Sequence, residues 1–320
     1  MKKTFPALLR FLPVFLCLWL VAVASSGPAM ASSGHYLNGS LGLKAASLPP
    51  PGHYFGFLSM HYTADRVNNA NGNKIPVNYS LDMTMFAPHY VYSSEYTILG
   101  ARYAFDLLIP FVHTNFSVSK NFNIPLPFHR GIAHITAEKT STSTGLSDIA
   151  LTPIMLTWEG SRYDITAGMT FFIPTGEFSS KDITSPGKGF WSFVPSLGAT
   201  VYFDEAKTWH ASANLHYEIH TEQEETNRTF GNHAHLEWGV GKTFLQIFKA
   251  GVVGYSSWQA THDSGPRTRE TLSEAHGIGP EIGVYLPWIN LDLTLRYLQE
   301  FENRNTSQGS TTTLSIMYTF

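Results

Sequence analysis

Twelve segments of roughly ten residues or more are expected as strands; most of them alternate apolar and polar side chains, with an ambiguous phase in Leu245–Thr261, and that period of two confines the chain to β-structure. Trp209–His220 is the plainest. Trp209, Ala211, Ala213, Leu215, Tyr217 and Ile219 fall on one face, and His210, Ser212, Asn214, His216, Glu218 and His220 on the other. The remaining strands are expected at His53–Ala64, Val77–Tyr92, Thr97–Ser117, Leu146–Trp158, Tyr163–Ile173, Phe190–Phe203, His233–Val240, Leu245–Thr261, Gly277–Leu286, Leu291–Phe301 and Thr311–Phe320. Links after the odd strands are long: Asp65–Pro76, Val118–Gly145, Pro174–Gly189, Thr221–Asn232, His262–His276 and Glu302–Ser310. Those after the even strands are short: Ser93–Tyr96, Glu159–Arg162, Asp204–Thr208, Gly241–Phe244 and Pro287–Asn290. A soluble sandwich has no reason to alternate in this way; a barrel with loops at one end and turns at the other does.

Strand length points the same way, since a tilted membrane strand needs about ten residues. Beyond the N-terminus no stretch reaches the ~18 apolar residues of a spanning helix. A chain of this kind crosses a membrane only as a closed barrel, because hydrocarbon leaves strand edges unsatisfied. Trp158, Trp209 and Trp288 near the short turns, and Trp191 and Trp258 near the long loops, fit two interfacial girdles. The expectation is all-β: a single closed antiparallel transmembrane barrel of about twelve strands over residues 53–320. Pro153, Pro195 and Pro280 fall inside strands, where each removes a ladder donor and calls for a bulge.

The N-terminus sets the compartment. Lys2, Lys3 and Arg10 precede the uncharged run Phe11–Ala24, and Ala29-Met30-Ala31 is a small-x-small cleavage site. Residues 1–31 therefore read as a secretory signal peptide. Cys17, the one cysteine, leaves with it, and Val14, Phe15 and Leu16 lack the small residues of a lipoprotein signal. Cleavage takes Lys+Arg from 21 to 18 against 24 Asp+Glu, a net charge of about −6. An acidic chain without basic runs argues against nucleic acid as a partner.

The inward faces carry Arg102, Asp106, His216, Glu218, His220, His233, His235, Glu237, Glu281, Arg296 and Glu300, all read here as pore-lining. Mixed sign implies a hydrated lumen crossed by ion pairs, with no single-sign selectivity ring. Pairing the seventh and eighth strands sets His220 beside His233, Glu218 beside His235 and His216 beside Glu237, give or take one two-residue slip. Such a patch has the donors for zinc or for acid–base work. With no supporting spacing signature, the expectation is a hydrogen-bonded ladder without a tightly bound metal or other cofactor. Gly-x-Ser-x-Gly and His-Glu-x-x-His are both absent, and no enzyme is expected.

Thr311–Phe320 (TTTLSIMYTF) ends in an aromatic residue after strict alternation, and resembles the terminal strand that the outer-membrane barrel-assembly machinery recognises. A second resemblance runs along the mature chain. It is carried by Ser47-Leu48-Pro49-Pro50-Pro51-Gly52-His53-Tyr54, Gly145-Leu146-Ser147-Asp148-Ile149 with Pro153, and Pro174-Thr175-Gly176. His262-Asp263-Ser264-Gly265, and Arg296-Tyr297 before Glu300-Phe301, complete it. These short motifs, in this order, resemble the family named for the meta-pathway of phenol degradation. The resemblance implies a bacterial outer-membrane barrel that passes hydrophobic or aromatic compounds; it brings no binding residues with it. The expected partners are outer-membrane lipid, a small-molecule substrate, and the assembly machinery through Phe320. The rival reading is a structural or adhesive barrel whose long loops, Val118–Gly145 above all, bind outside partners.

Between cleavage site and first strand lie residues 32–52, more than a tether requires. Tyr36, Leu37, Leu41, Leu43 and Leu48 with one charge, Lys44, are poorly suited to free exposure. Pro49–Pro51 stiffens the junction. The segment is expected either to fold against or into the periplasmic mouth as a partial plug, or to serve as a flexible leader.

Overall fold

The computed structural model describes residues 34–125, 132–266, 268 and 271–320; the signal segment with Cys17, and Ser32 and Ser33, lie outside them. The wall strands are β1 (Gly52–Val67), β2 (Asn78–Ile98), β3 in two halves (Ala101–Leu108 and Phe111–Pro125) and β4 in two halves (Ile132–Leu146 and Ile149–Glu159). They continue as β5 (Tyr163–Ile173), β6 (Ser192–Tyr202), β7 (Trp209–His220), β8 (His233–Phe244), β9 (Phe248–Gln259), β10 (Glu274–Leu286), β11 (Leu291–Arg304) and β12 (Ser307–Thr319). Neighbours in sequence pair antiparallel around the sheet. β12 then pairs back onto β1, from Tyr54↔Thr319 to Val67↔Ser307, and the barrel closes on twelve strands.

Alternation decides the faces. Leu197, Leu215, Ile282, Leu295 and Leu314 point outward and are exposed, while their inward neighbours are buried. Trp209 starts β7, Trp158 sits in the last residues of β4 and Trp288 lies in the Pro287–Ile289 turn, all at the short-turn end. At the other end Trp191 precedes β6, and Trp258 falls in the last two residues of β9. Among the described residues no helix is long and apolar enough to span a membrane.

Four expectations about the links need correction. The first short turn lies at Leu99-Gly100 instead of Ser93–Tyr96, because β2 runs on to Ile98. Val118–Gly145 is not an open loop: the upper halves of β3 and β4 form a long ribbon paired from Phe111↔Leu146 to Pro125↔Ile132. Its Ser/Thr-rich second half, Glu138–Thr144, is polar on both faces, and so gives no burial signal to read as a strand. Glu302–Ser310 shrinks to Asn305 and Thr306, because β11 and β12 run up to them; Asn305 takes the turn with φ 53°. The fourth short turn moves to Leu245–Ile247, since the β8–β9 ladder continues to Phe244↔Phe248.

The prolines are absorbed locally. The β4 register shifts between Leu151 and Ile154, around Pro153. Pro195 and Pro280 fall where the β6–β7 and β10–β11 ladders skip a pair of residues. A larger interruption comes at Ile109-Pro110 and Ser147-Asp148, which split β3 and β4. Above that level the β4 half-strand is bonded on one side only, to β3. Its other edge meets the Pro174–Trp191 loop: Ser141 Oγ donates to Asp182 Oδ1 at 2.7 Å, and Ser147 Oγ to the Pro186 carbonyl at 2.7 Å. The wall there is a seam closed by side chains instead of a ladder.

A closed ladder of this size resists detergent in the cold. The protein should migrate faster on an unheated SDS gel than after boiling; a single mobility under both conditions would contradict the closed barrel.

Candidate functional site

The inside of the barrel has two unlike halves. From β1 to β6 the inward residues are mostly apolar: Leu58, Met60, Met85, Ala87, Leu108, Ala150, Phe172 and Val194 form one buried cluster. Tyr62, Ala64, Val67, Tyr79, Leu81 and Phe116 form a second above it. From β7 to β11 the inward residues are His216, Glu218, His220, His233, His235, Glu237, Glu281, Arg296 and Glu300, all buried. The expectation of a uniformly hydrated lumen is therefore corrected: half of the wall is oily. The inward positions of β1 and β2 are apolar opposite outward apolar ones, and this hid the alternation there.

Residues 34–51 run inside the barrel along the polar half, and the wall holds them by their main chain. A segment without strand partners has bare amides, and burying them requires acceptors from elsewhere. Glu218 Oε1 accepts from the amides of His35 (2.5 Å) and Tyr36 (3.2 Å). Glu237 Oε1 accepts from Gly39 at 2.6 Å, and Glu281 Oε1 from Leu43 at 3.2 Å. Arg296 donates to Glu281 at 2.7 Å and also to the Gly39 carbonyl. Gly39 turns the segment with φ 77°, and a side chain there would collide with Leu298. Thr166 Oγ1 and Asn214 Nδ2 donate to the Ala46 and Ala45 carbonyls, and Arg102 to that of Pro49 at 2.8 Å. Side chains of the segment are gripped as well: Asn38 Oδ1 meets His235 Nδ1 at 2.8 Å and Ser47 Oγ meets the Tyr202 hydroxyl at 3.0 Å. Tyr36 lies between the His216 and His235 rings, each 4.5 Å away, and Leu43 packs on Val253, Tyr255 and Leu298.

The remaining singled-out residues have separate partners. Asp106 meets His89 at 2.7 Å near the short-turn end, and Arg102 also pairs with Glu159. Glu300 accepts from Tyr255 at 2.5 Å, Tyr62 at 2.9 Å and the Gly309 amide at 2.6 Å, bracing the upper wall. The β7–β8 register differs from expectation by one slip: His233 stands opposite Glu218 and His235 opposite His216, with Glu237 opposite Asn214. The loop between the strands forms its own hairpin (Glu222–Gln223 with Arg228–Thr229), and the Thr221 amide bonds the Trp191 carbonyl across the wall. The intended partners still meet diagonally, with Glu218 at 3.2 Å from His235 and His220 at 3.4 Å from His233.

Sequence reasoning missed three participants. Asp148 sits at the break in β4, where its carboxylate accepts from the Gly176 and Lys188 amides and meets His35 Nε2 at 2.8 Å. His35 Nδ1 faces Ser192 Oγ at 2.6 Å, and the same hydroxyl faces His220 Nδ1 at 2.7 Å. Burial holds the His35 imidazole below its ordinary value, against the raising effect of Asp148, so the ring is neutral at pH 7. Asp148–His35–Ser192 has the order of a hydrolytic relay. Ser192, however, is fully buried and borders neither cavity of the barrel; its hydroxyl is a link between two imidazoles. The Gly-Leu-Ser-Asp-Ile motif was the available signal for Asp148; for His35 and Ser192 there was none.

Between the N-terminal segment and the oily half lies a cavity of about 260 Å³. Met60, Met83, Met85, Leu108, Phe116 and Phe172 give it apolar walls, with Asp148, Lys188 and Glu300 at its margins. Pro110, Ser147 and Pro186 of the seam border it as well. A second, more polar cavity of about 290 Å³ opens among the long loops, beside Phe178, Asp182, Arg228 and Asp263. Ile183, Ser185, Lys188 and Ser273 line both, so the two are neighbours across a single layer of side chains.

The family model described as "Putative MetA-pathway of phenol degradation" matches residues 64–316. The chain belongs to that family. The barrel is similar to the COG4313 outer membrane channel from Pseudomonas putida F1, with a TM-score of 0.66 at 13% identity, covering 86% of this chain and 98% of that one. It is also similar to the beta domain of the Bordetella autotransporter Brka, with a TM-score of 0.50 at 10% identity over 84% and 100% of the two chains. No curated protein matches in sequence. The family member is thus an outer-membrane β-barrel of the bacterial envelope, with the short turns on the periplasmic side.

Arg296→Ala should leave Glu281 buried without its cation, at a cost of about 3–5 kcal/mol. The temperature at which the unheated gel form disappears should fall accordingly. Arg296→Met with Glu281→Leu should recover most of that loss, while residues 34–51 become more accessible to protease than in the wild type.

Proposed function

We propose that this barrel is a channel for passive uptake of small apolar molecules, single-ring aromatics above all, and that residues 34–51 act as its plug. The cavity between plug and oily wall carries the reading. Apolar cavities on the order of 150 Å³ already hold benzene, so about 260 Å³ takes a substituted ring with little room to spare. Methionine thioethers at Met60, Met83 and Met85 adapt to the edge of such a ring, and Phe116 and Phe172 offer it faces. The family's description by phenol degradation supports the same substrate class, and the likeness to an outer membrane channel supports passage through the barrel.

In this reading the polar half of the wall is pore-lining only in part, and its larger task is to keep the plug seated. A solute enters from the loop side through the polar cavity, sheds water in the methionine-lined one, and passes the plug along its apolar flank. The seam beside Pro110 and Ser147 borders that step. Twelve strands lie between the ~8-strand barrels filled by side chains and the 16–18-strand open porins, which suits a narrow selective path.

A strain lacking the protein should take up toluene severalfold more slowly at low external concentration, and the wild-type gene should restore the rate. Met85→Trp, which fills the cavity, should reach the membrane with normal heat-modifiable mobility yet fail to restore uptake. Deleting residues 32–46 while keeping the prolines should raise single-channel conductance. Equal toluene uptake with and without the protein would refute the transport reading.

A further inference from the structure

We propose that His35 of the N-terminal segment, together with Glu218 and His220 of β7, forms a binding site for a divalent first-row transition ion such as zinc, bridging the segment to the wall. The donor atoms of these three buried residues lie within 4.8 Å of one another. Glu218 Oε1 stands 3.9 Å from His35 Nδ1 and 3.9 Å from His220 Nδ1. Metal–nitrogen bonds of about 2.0–2.1 Å at tetrahedral angles require donors roughly 3.3 Å apart. Each oxygen–nitrogen pair therefore needs to close by about half an ångström, and the two imidazole nitrogens, within 4.8 Å of each other, by at most about 1.5 Å, a range open to side-chain adjustment.

The surroundings fit a cation. With the ring protons on Nε2, toward Asp148 in His35 and toward His233 in His220, both Nδ1 atoms present lone pairs to one hydroxyl, Ser192 Oγ, whose single hydrogen serves only one of them. An ion between the rings uses both lone pairs, and Ser192 Oγ remains near as a fourth oxygen. His35 is oriented from behind by Asp148 on Nε2, the carboxylate–imidazole arrangement that fixes metal-binding histidines. Around the group stand two carboxylates, Asp148 and Glu218, and one ammonium, Lys188, whose Nζ donates to the Gly34 carbonyl. The formal balance is negative, and it favours a dication. Two imidazoles and a carboxylate suit zinc, cobalt, nickel or copper over magnesium or calcium.

From strands β7 and β8 alone the patch read as a hydrogen-bonded lining without metal; the third donor comes only with the segment that the fold delivers. The site goes beyond the transport reading: His35 and Asp148 border the cavity, but the apolar walls proposed to receive the solute supply no donor, and metal binding is measured apart from uptake. It makes the seat of the segment dependent on a metal ion: with the ion, His35 is tied to the wall by a coordinate bond as well as by its amide.

The test uses the full mature protein in detergent, stripped with EDTA and titrated with Co²⁺ alone. One Co²⁺ per chain with tetrahedral visible bands, displaced by Zn²⁺, is expected. His35→Gln and His220→Gln should each weaken binding by about tenfold or more, and His276→Gln should leave it unchanged. His35 lies outside the barrel ladder, so its variant keeps a closed wall; heat-modifiable mobility verifies this. Absence of stoichiometric Co²⁺, or affinity unchanged in His35→Gln, would overturn the proposal. Loss of binding in His220→Gln with full affinity in His35→Gln would place the ion on the wall alone, and would equally overturn the bridge.

Discussion

In hydrocarbon, every backbone amide and carbonyl must find its partner inside the chain. The return of β12 onto β1 meets that demand, and most of the architecture follows from it. The barrel closes on twelve strands, the strand number sets the width, and the width leaves a lumen too large for wall side chains to fill. The same demand explains the one place where the wall deviates. Pro110 and the Ser147-Asp148 step interrupt the ladder, and the Pro174–Trp191 loop supplies the bonds that a neighbouring strand would otherwise make.

Residues 34–51 bring the problem inside. They have no sheet to join, yet they lie in a space that is partly dry. The polar half of the wall resolves this with a row of carboxylates, Glu218, Glu237 and Glu281, each aimed at a main-chain amide. Arg296 offsets the charge of Glu281 and closes on the Gly39 carbonyl. Such charge-assisted bonds are stronger than amide–carbonyl pairs, which matters for a segment without ladder cooperativity. The division of the lumen follows from this. The polar side holds a peptide, and the apolar side, relieved of that duty, borders the open cavity.

Much of the wall was legible because alternation is visible wherever one face is polar. β7, β8 and β11 declare themselves through His/Glu/Arg against Leu/Trp/Tyr, and their inward residues could be named from the sequence. β1 and β2 conceal their inner face, because Leu58, Met60 and Met85 look inward while aromatic residues look out to lipid. The ribbon over Val118–Gly145 fails for the opposite reason in its second half, where Glu138–Thr144 is polar on both sides. Register was beyond reach, since the Thr221–Asn232 hairpin slides β8 by two residues without changing any periodicity. The meeting of His35, Asp148, Ser192 and Glu218 joins positions up to 183 residues apart, and no spacing rule reaches that far.

A peptide seated by its own main chain is nearly anonymous to the surface that seats it. Where the contact is to amides and carbonyls, as along Glu218, Glu237 and Glu281, the wall holds groups that almost any residue would present. Where it is to a side chain, as at His35, Tyr36, Asn38 and Leu43, it holds one residue in one place. The first kind of contact keeps the peptide in the barrel and the second fixes its register, so exchanging a docked side chain shifts the peptide along the wall without releasing it.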